Sequence, residues 1–206
     1  MSQTDPPLYS TLELGFINKA KRLYSRILQP LVLSLDRAGI TPNQVTATGL
    51  IIGVALLFIS AATGTLGVGL VGIWIHVFMD LLDGALARHQ HSGTTMGSLI
   101  DGISDQLIVT GAALLLIYLH LVDPILLIVY LVAYWVLNIV SFWLGYQGSR
   151  ISLVLRPRIF VYLAMTIDAI FATTISGSVI MLSLIAILIS CSVALYTVMV
   201  RPHSRV

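Results

Sequence analysis

Charge is the scarcest property of this chain. Only 10% of its 206 residues are charged and 57% are hydrophobic, whereas a soluble domain carries about 25% charged residues. A water-soluble protein of this size could not hide so much apolar surface, so the bulk of the chain is expected in lipid as one membrane domain. Cysteine is nearly absent. Cys191 stands alone inside an apolar run, which excludes a disulfide within the chain and gives no sign of an oxidising compartment. The stretch Met1–Pro7 is polar and lacks the basic-then-apolar layout of a cleavable signal, so insertion is expected through the first spanning segment itself.

What is present is hydrophobic length. A spanning helix needs about 20 mostly apolar residues, and segments near Val45–Thr63, Leu66–Arg88, Gly97–His120, Pro124–Tyr146, Ile159–Ile175 and Ser178–Val200 qualify. Gly64-Thr65, Asp123-Pro124 and Ser176-Gly177 supply tight breaks on one side. The expected fold class is therefore an all-α integral membrane protein with six transmembrane helices. Its basic residues are Lys19, Lys21, Arg22, Arg26, Arg37, Arg88, Arg150, Arg156, Arg158, Arg201 and Arg205. With six spans all of them fall on one side, which the positive-inside rule makes the cytoplasm. Both termini are expected there.

Ahead of the first span, Phe16, Ala20, Leu23, Ile27 and Leu31 recur at helical steps, with Lys19, Arg22 and Arg26 on another face. Leu12–Leu35 thus reads as an amphipathic helix, lying in the headgroup layer or packed on its own protein, with Pro30 ending or kinking it. The expected division is a tail and juxtamembrane helix over 1–40, then a six-helix catalytic domain over 41–206.

Four aspartates break the apolar pattern: Asp80, Asp83, Asp101 and Asp105. A carboxylate in lipid costs several kcal/mol unless it is paired, protonated or bound to a cation. Asp80 and Asp83 share a face of the second span, as Asp101 and Asp105 do of the third. The two spans are antiparallel across a short loop, which sets Asp83 level with Asp101 and Asp80 level with Asp105, about 6–12 Å inside the cytoplasmic ends. Such oxygen ligands suit Mg²⁺ or Mn²⁺ and do not suit zinc, and four carboxylates can balance two ions that clamp phosphoryl oxygens. Gly84 and Ala87 leave a bare face beside them. Arg88, able to grip a phosphate with two hydrogen bonds, stands at the mouth, near the donors of Ser92-Gly93-Thr94-Thr95.

The stretch from Asp80 to Asp105, with Gly84, Ala87, Arg88 and Gly97 in place, resembles the signature of the CDP-alcohol phosphotransferase family. The run Thr41-Pro42-Asn43-Gln44-Val45-Thr46 is similar to a looser landmark of that family. The resemblance implies metal-dependent transfer of a substituted phosphate from a CDP-alcohol, such as CDP-diacylglycerol, to an alcohol with release of CMP, in phospholipid biosynthesis. It implies that Asp80, Asp83 and Asp101 are ligands to one or two Mg²⁺ or Mn²⁺ ions. Asp105 would be the general base, ligating the second metal as well. Gly84, Ala87, Arg88, Thr94, Gly97 and the run Asn43, Gln44, Val45 and Thr46 would hold the CDP moiety. Its expected partners are a CDP-linked lipid donor, a small alcohol acceptor with or without a phosphate, membrane lipids and a second copy in a homodimer; no nucleic acid is expected. The expected location is a bacterial or archaeal cytoplasmic membrane, with the site facing the cytoplasm. Asp80-Leu81-Leu82-Asp83-Gly84-Ala85 also resembles the phosphatidylinositol phosphate synthase branch, whose later spans carry basic residues for the acceptor phosphate. Arg150, Arg156 and Arg158 are the candidates for that role. The fourth span has no Lys or Arg, a departure from that branch that counts against inositol phosphate and leaves glycerol phosphate, free inositol, serine and unusual polyols open.

Three other readings compete. The aspartates could serve as protonated helix-to-helix hydrogen bonds, although one or two polar groups suffice for that. They could line a divalent-cation channel or transporter, which favours mid-membrane acids, rings or broken helices. Within the enzyme class, a soluble CDP-alcohol donor with a lipid acceptor fits the same signature. His76, one turn from Asp80, is expected as a packing histidine, with a contact behind the metal site as the alternative. Asp168, alone in the fifth span, is expected to pair with Asn138 or another buried polar group, or else to meet the acceptor.

Overall fold

The computed structural model describes residues 27–146 and 157–200, and every regular element among them is an α-helix. Helix α1 covers residues 27–37. Pro42–Thr63 forms α2, Leu66–His89 α3, Thr95–Tyr118 α4, Pro124–Tyr146 α5, Arg158–Phe171 α6 and Ser176–Val200 α7. Five of them, α2 to α5 and α7, are long and apolar enough to cross a membrane.

Local chemistry sets the boundaries. The Thr41 amide donates to Gln44 Oε1 at 2.8 Å in a capping box, with Pro42 in the first turn of α2. Gly64, at φ +67°, turns the chain out of α2 towards α3. Thr94 Oγ1 accepts the Gly97 amide at 3.0 Å and starts α4. Asp123 Oδ1 accepts the Leu126 amide at 2.9 Å at the head of α5.

Helix α1 runs through Pro30 to Arg37 rather than ending at the proline, and closes at Gly39 in a left-handed conformation. Leu28 and Val32 pack against Val45, Leu82, Ala85 and Leu86, while Ile27 and Leu31 point outward. Asp36 fastens its end to α3: Gln90 Nε2 donates to Asp36 Oδ1 at 2.9 Å, and His89 Nε2 lies 3.3 Å from Asp36 Oδ2. The rest of the amphipathic segment expected over Leu12–Leu35 lies outside the described residues.

Among the described helices, α2 and α3 make the most extensive contact. A Cβ on Gly72 would stand 2.7 Å from Leu56 Cβ and 3.0 Å from the Gly53 carbonyl oxygen, so the two backbones approach closely there. The main core gathers Ile73, Ile108, Leu116, Leu127, Met165 and Ile187 from α3 to α7.

The segment expected as a fifth span, Ile159–Ile175, departs from expectation. Its helix α6 has 14 residues and ends where Ala172 adopts φ +52°. Asp168 does not pair with Asn138; it meets the other expected kind of partner, a buried polar group, in Ser176. It accepts hydrogen bonds from Thr173 Oγ1 at 2.6 Å, from the Ile175 and Ser176 amides at 2.8 Å each, and from the Ser176 hydroxyl. The reason is local: the first amides of α7 have no intrahelical acceptor, and a carboxylate one turn before the break satisfies them.

Candidate active site

Asp80 and Asp83 come from α3, and Asp101 and Asp105 from α4. Oxygens of Asp80, Asp101 and Asp105 all lie within 4.8 Å of one another. Asp83 sits beside this group and is buried, where Thr46 Oγ1 of α2 donates to its Oδ2. The register between antiparallel helices is legible in a contact the sequence did not suggest. The guanidinium of Arg158, the first residue of α6, reaches Asp80 Oδ2 at 3.1 Å and also ion-pairs with Asp105. One planar cation thus joins the two carboxylates that helix counting set level. His76 lies 2% exposed behind them, its Nε2 3.4 Å from Asp105 Oδ1.

Two clefts meet at this cluster. The first, about 290 Å³, is framed by α2, α3 and α4, and Asn43, Thr46, Gly84, Ala87, Thr94 and Gly97 line it together with Asp83 and Asp101. Bare glycines matter in two places. A Cβ on Gly97 would lie 3.2 Å from Thr94 Oγ1 and 3.6 Å from Asn43 Oδ1, so its absence lets two polar groups converge. A Cβ on Gly84 would lie 3.4 Å from Arg88 Nη1, which places that guanidinium across the glycine.

Two residues expected in this cleft do other work. Val45 is buried in the packing of α1 against α2 and α3, and Gln44 caps α2. Arg88 is exposed at the end of α3.

The second cleft, about 770 Å³, opens between α4 and α5. It shares Ser98 and Asp101 with the first and adds Asp105, Gln106, Trp135 and Asn138. Asn138 Nδ2 donates to Gln106 Oε1 at 3.1 Å and to the Tyr134 carbonyl at 2.8 Å. Sequence reasoning missed Gln106 because a lone glutamine in a spanning helix carries no spacing signal. Of the basic group expected near an acceptor, only Arg158 can be placed; Arg150 and Arg156 lie outside the described residues.

The donor set decides which cation could bind. Three converging carboxylates, with a buried Asp101 Oδ1 that has no partner among the described residues, offer only hard oxygen ligands. That set fits Mg²⁺ or Mn²⁺ and provides no thiolate for a softer metal.

A family model described as CDP-alcohol phosphatidyltransferase matches residues 39–200. The phosphatidylinositol phosphate synthase of Mycobacterium tuberculosis is 35% identical over 95 residues, 46% of this chain and 43% of that relative. The match therefore spans under half of that curated relative's length. The solved structure of the M. tuberculosis phosphatidylinositol phosphate synthase in complex with manganese and citrate superposes with a TM-score of 0.70 at 26% identity, covering 86% of this chain and 92% of that one. The structure of that synthase with CDP-DAG bound also gives 0.70 at 26% identity, covering 88% and 98%.

Proposed function

Since the chain belongs to the CDP-alcohol phosphatidyltransferase family, we propose that it transfers a phosphatidyl group from CDP-diacylglycerol to the hydroxyl of a small alcohol and releases CMP. The observation that carries this reading is the meeting of two clefts at one carboxylate cluster. Such an arrangement lets a nucleotide-linked donor and an acceptor reach a common centre from different sides. The synthase solved with CDP-DAG and with manganese supports both the donor and the cation.

Asp80, Asp83, Asp101 and Asp105 would hold Mg²⁺ or Mn²⁺, as two ions. Bound there, the metal supplies neutralisation of the diphosphate and of the charge that builds on the transferred phosphoryl group. The protein's own groups do the rest. Asn43, Thr46, Thr94 and the bare surfaces of Gly84, Ala87 and Gly97 receive the CDP moiety. Arg88, lying across Gly84, reaches the donor phosphates as a fixed cation.

Asp105 takes the proton from the acceptor hydroxyl as that oxygen attacks the phosphorus bearing the diacylglycerol. The bond from phosphorus to the CMP oxygen breaks, and CMP leaves. A carboxylate is a weak base, yet it need only accept the proton as the transition state forms. Arg158 stands against Asp105, so an acceptor phosphate bound to it would hold the attacking hydroxyl close to the base.

The reading includes an integral enzyme of a bacterial cytoplasmic membrane, with both termini and the site on the cytoplasmic side. Residues 1–40 form the tail and juxtamembrane helix, and 41–206 the catalytic domain with α6 as a sixth, short membrane segment. The positive-inside distribution of Lys and Arg supports that orientation. A homodimer is part of the reading and rests on the family resemblance alone.

The test is purified protein in detergent with labelled CDP-diacylglycerol and a panel of inositol phosphate, glycerol phosphate, inositol and serine. Acceptor-dependent CMP release with a matching phospholipid product is expected. Absence of release with every acceptor would contradict the transferase reading and favour a cation pathway.

A further inference from the structure

Of the buried side-chain atoms without a partner among the described residues, Asp101 Oδ1 belongs to the carboxylate cluster, but Gln106 Nε2 does not. Gln106 is 2% exposed, and an amide donor left unpaired in that setting is costly unless something else accepts from it. Its other end is fixed, because Gln106 Oε1 accepts from Asn138 Nδ2 at 3.1 Å, and Asn138 Nδ2 also donates to the Tyr134 carbonyl. The amide is thereby held in one orientation. Both residues line the α4–α5 cleft, along with Asp101 and Asp105.

Position in the chain gives this pair its meaning. Gln106 directly follows Asp105, about 100° further round α4. Displacement at phosphorus requires the attacking and leaving oxygens roughly in line, on opposite sides of the phosphorus. If the nucleotide occupies the α2–α4 cleft, CMP leaves on that side. Attack then comes from the side of the α4–α5 cleft, where Asp105 lies.

An acceptor entering there meets a wall to which Gln106, Asn138 and Trp135 all contribute, with the unpaired Gln106 amide buried in it. Paired amides next to an indole suit a compound with several hydroxyls on a carbon skeleton: each hydroxyl can both give and take a hydrogen bond, and its C–H face can cover the ring.

We propose that Gln106 and Asn138 are the specificity-determining residues of the acceptor subsite, selecting a polyhydroxy alcohol by binding a hydroxyl other than the one that attacks. This inference rests on the transferase reading above and adds the acceptor class to it. A site built to hydrogen-bond a second hydroxyl discriminates against an analogue that lacks it, because its own polar groups are then left unpaired.

The experiment uses the full-length protein in detergent with CDP-diacylglycerol. The acceptors are inositol, inositol phosphate, glycerol phosphate and hydroxypropyl phosphate, the last a single-hydroxyl analogue of glycerol phosphate. Gln106→Met keeps the volume and removes the amide; Asn138→Leu does the same from the facing helix, as an independent variant should one of them fail to fold. Each is expected to raise the KM of the polyhydroxy acceptors roughly two- to tenfold, to leave donor KM in place, and to erase the preference for glycerol phosphate over its single-hydroxyl analogue.

A rise in donor KM instead would overturn the assignment, as would unchanged acceptor constants or a wild-type enzyme indifferent to the second hydroxyl. Wild-type protein inert with every acceptor overturns the transferase reading and this inference together. Active wild type with unaltered constants in the variants overturns only the inference.

Discussion

Asp105 and Arg88 sit on opposite sides of the proposed reaction, and substitution separates them. Asp105→Asn is expected to lose transfer while keeping most donor affinity, since Arg88 and the remaining carboxylates still hold the CDP group. Arg88→Ala is expected to weaken donor binding first. Equilibrium binding of CDP-diacylglycerol, measured beside single-turnover CMP release, distinguishes the two; the reverse pattern would invert the roles. Arg158→Ala probes the acceptor. A charge-assisted contact to phosphate contributes about 1.5–3 kcal/mol, so its loss raises the KM of a phosphorylated acceptor roughly 10- to 150-fold. An uncharged acceptor would feel much less, and comparison of inositol with inositol phosphate shows which applies. The sequence made the aspartates legible because charge in an apolar helix has few uses and helix geometry fixes which residues face each other. Arg158 was legible only as a member of a basic group. Its ion pairs with Asp80 and Asp105 span 78 residues for the first of them, and no local pattern encodes a contact made by packing α6 against α3.

Close approach of α2 and α3 brings site residues from both helices together. Gly53 and Gly72 let α2 lie against α3, and that approach carries Thr46 to Asp83. Gly72→Ala puts a Cβ 3.0 Å from the Gly53 carbonyl oxygen and 2.7 Å from Leu56 Cβ, contacts that a backbone relieves only by moving. A loss of about 1–3 kcal/mol in stability is expected, with a lower unfolding temperature in detergent and weaker donor binding. Unchanged values for both would mean that the α2–α3 spacing is not what positions the cleft. Element boundaries were largely readable, since Thr41, Gly64, Thr94 and Asp123 are ordinary capping and turn residues. The exception is α6. Its apolar run is long enough on hydropathy grounds, but Asp168 pulls the chain into a turn that caps α7, a competition that composition does not reveal.

If the whole enzyme is oriented as proposed, the clefts face the cytoplasm and the α4–α5 turn lies outside. Cys191 is the single native cysteine, so in a Cys191→Ser background an introduced thiol reports its own location. Leu121→Cys is expected to react with a membrane-impermeant thiol reagent on intact cells, and Ser92→Cys only after the membrane is opened. The opposite labelling would turn the enzyme over and remove its access to cytoplasmic CDP-lipid. Five of the six expected spans, α2 to α5 and α7, were readable from hydropathy, while the pairing of clefts around the carboxylates was not, because it depends on how α5 leans on α4. The most direct measurement of the central claim is CMP release from CDP-diacylglycerol as Mg²⁺ or Mn²⁺ is removed by chelator and restored, in wild type and in Asp101→Asn. Full loss is expected on chelation, with recovery when metal is added back to the wild type and no recovery in the variant. Turnover that persists in excess chelator, or in Asp101→Asn, would contradict the claim.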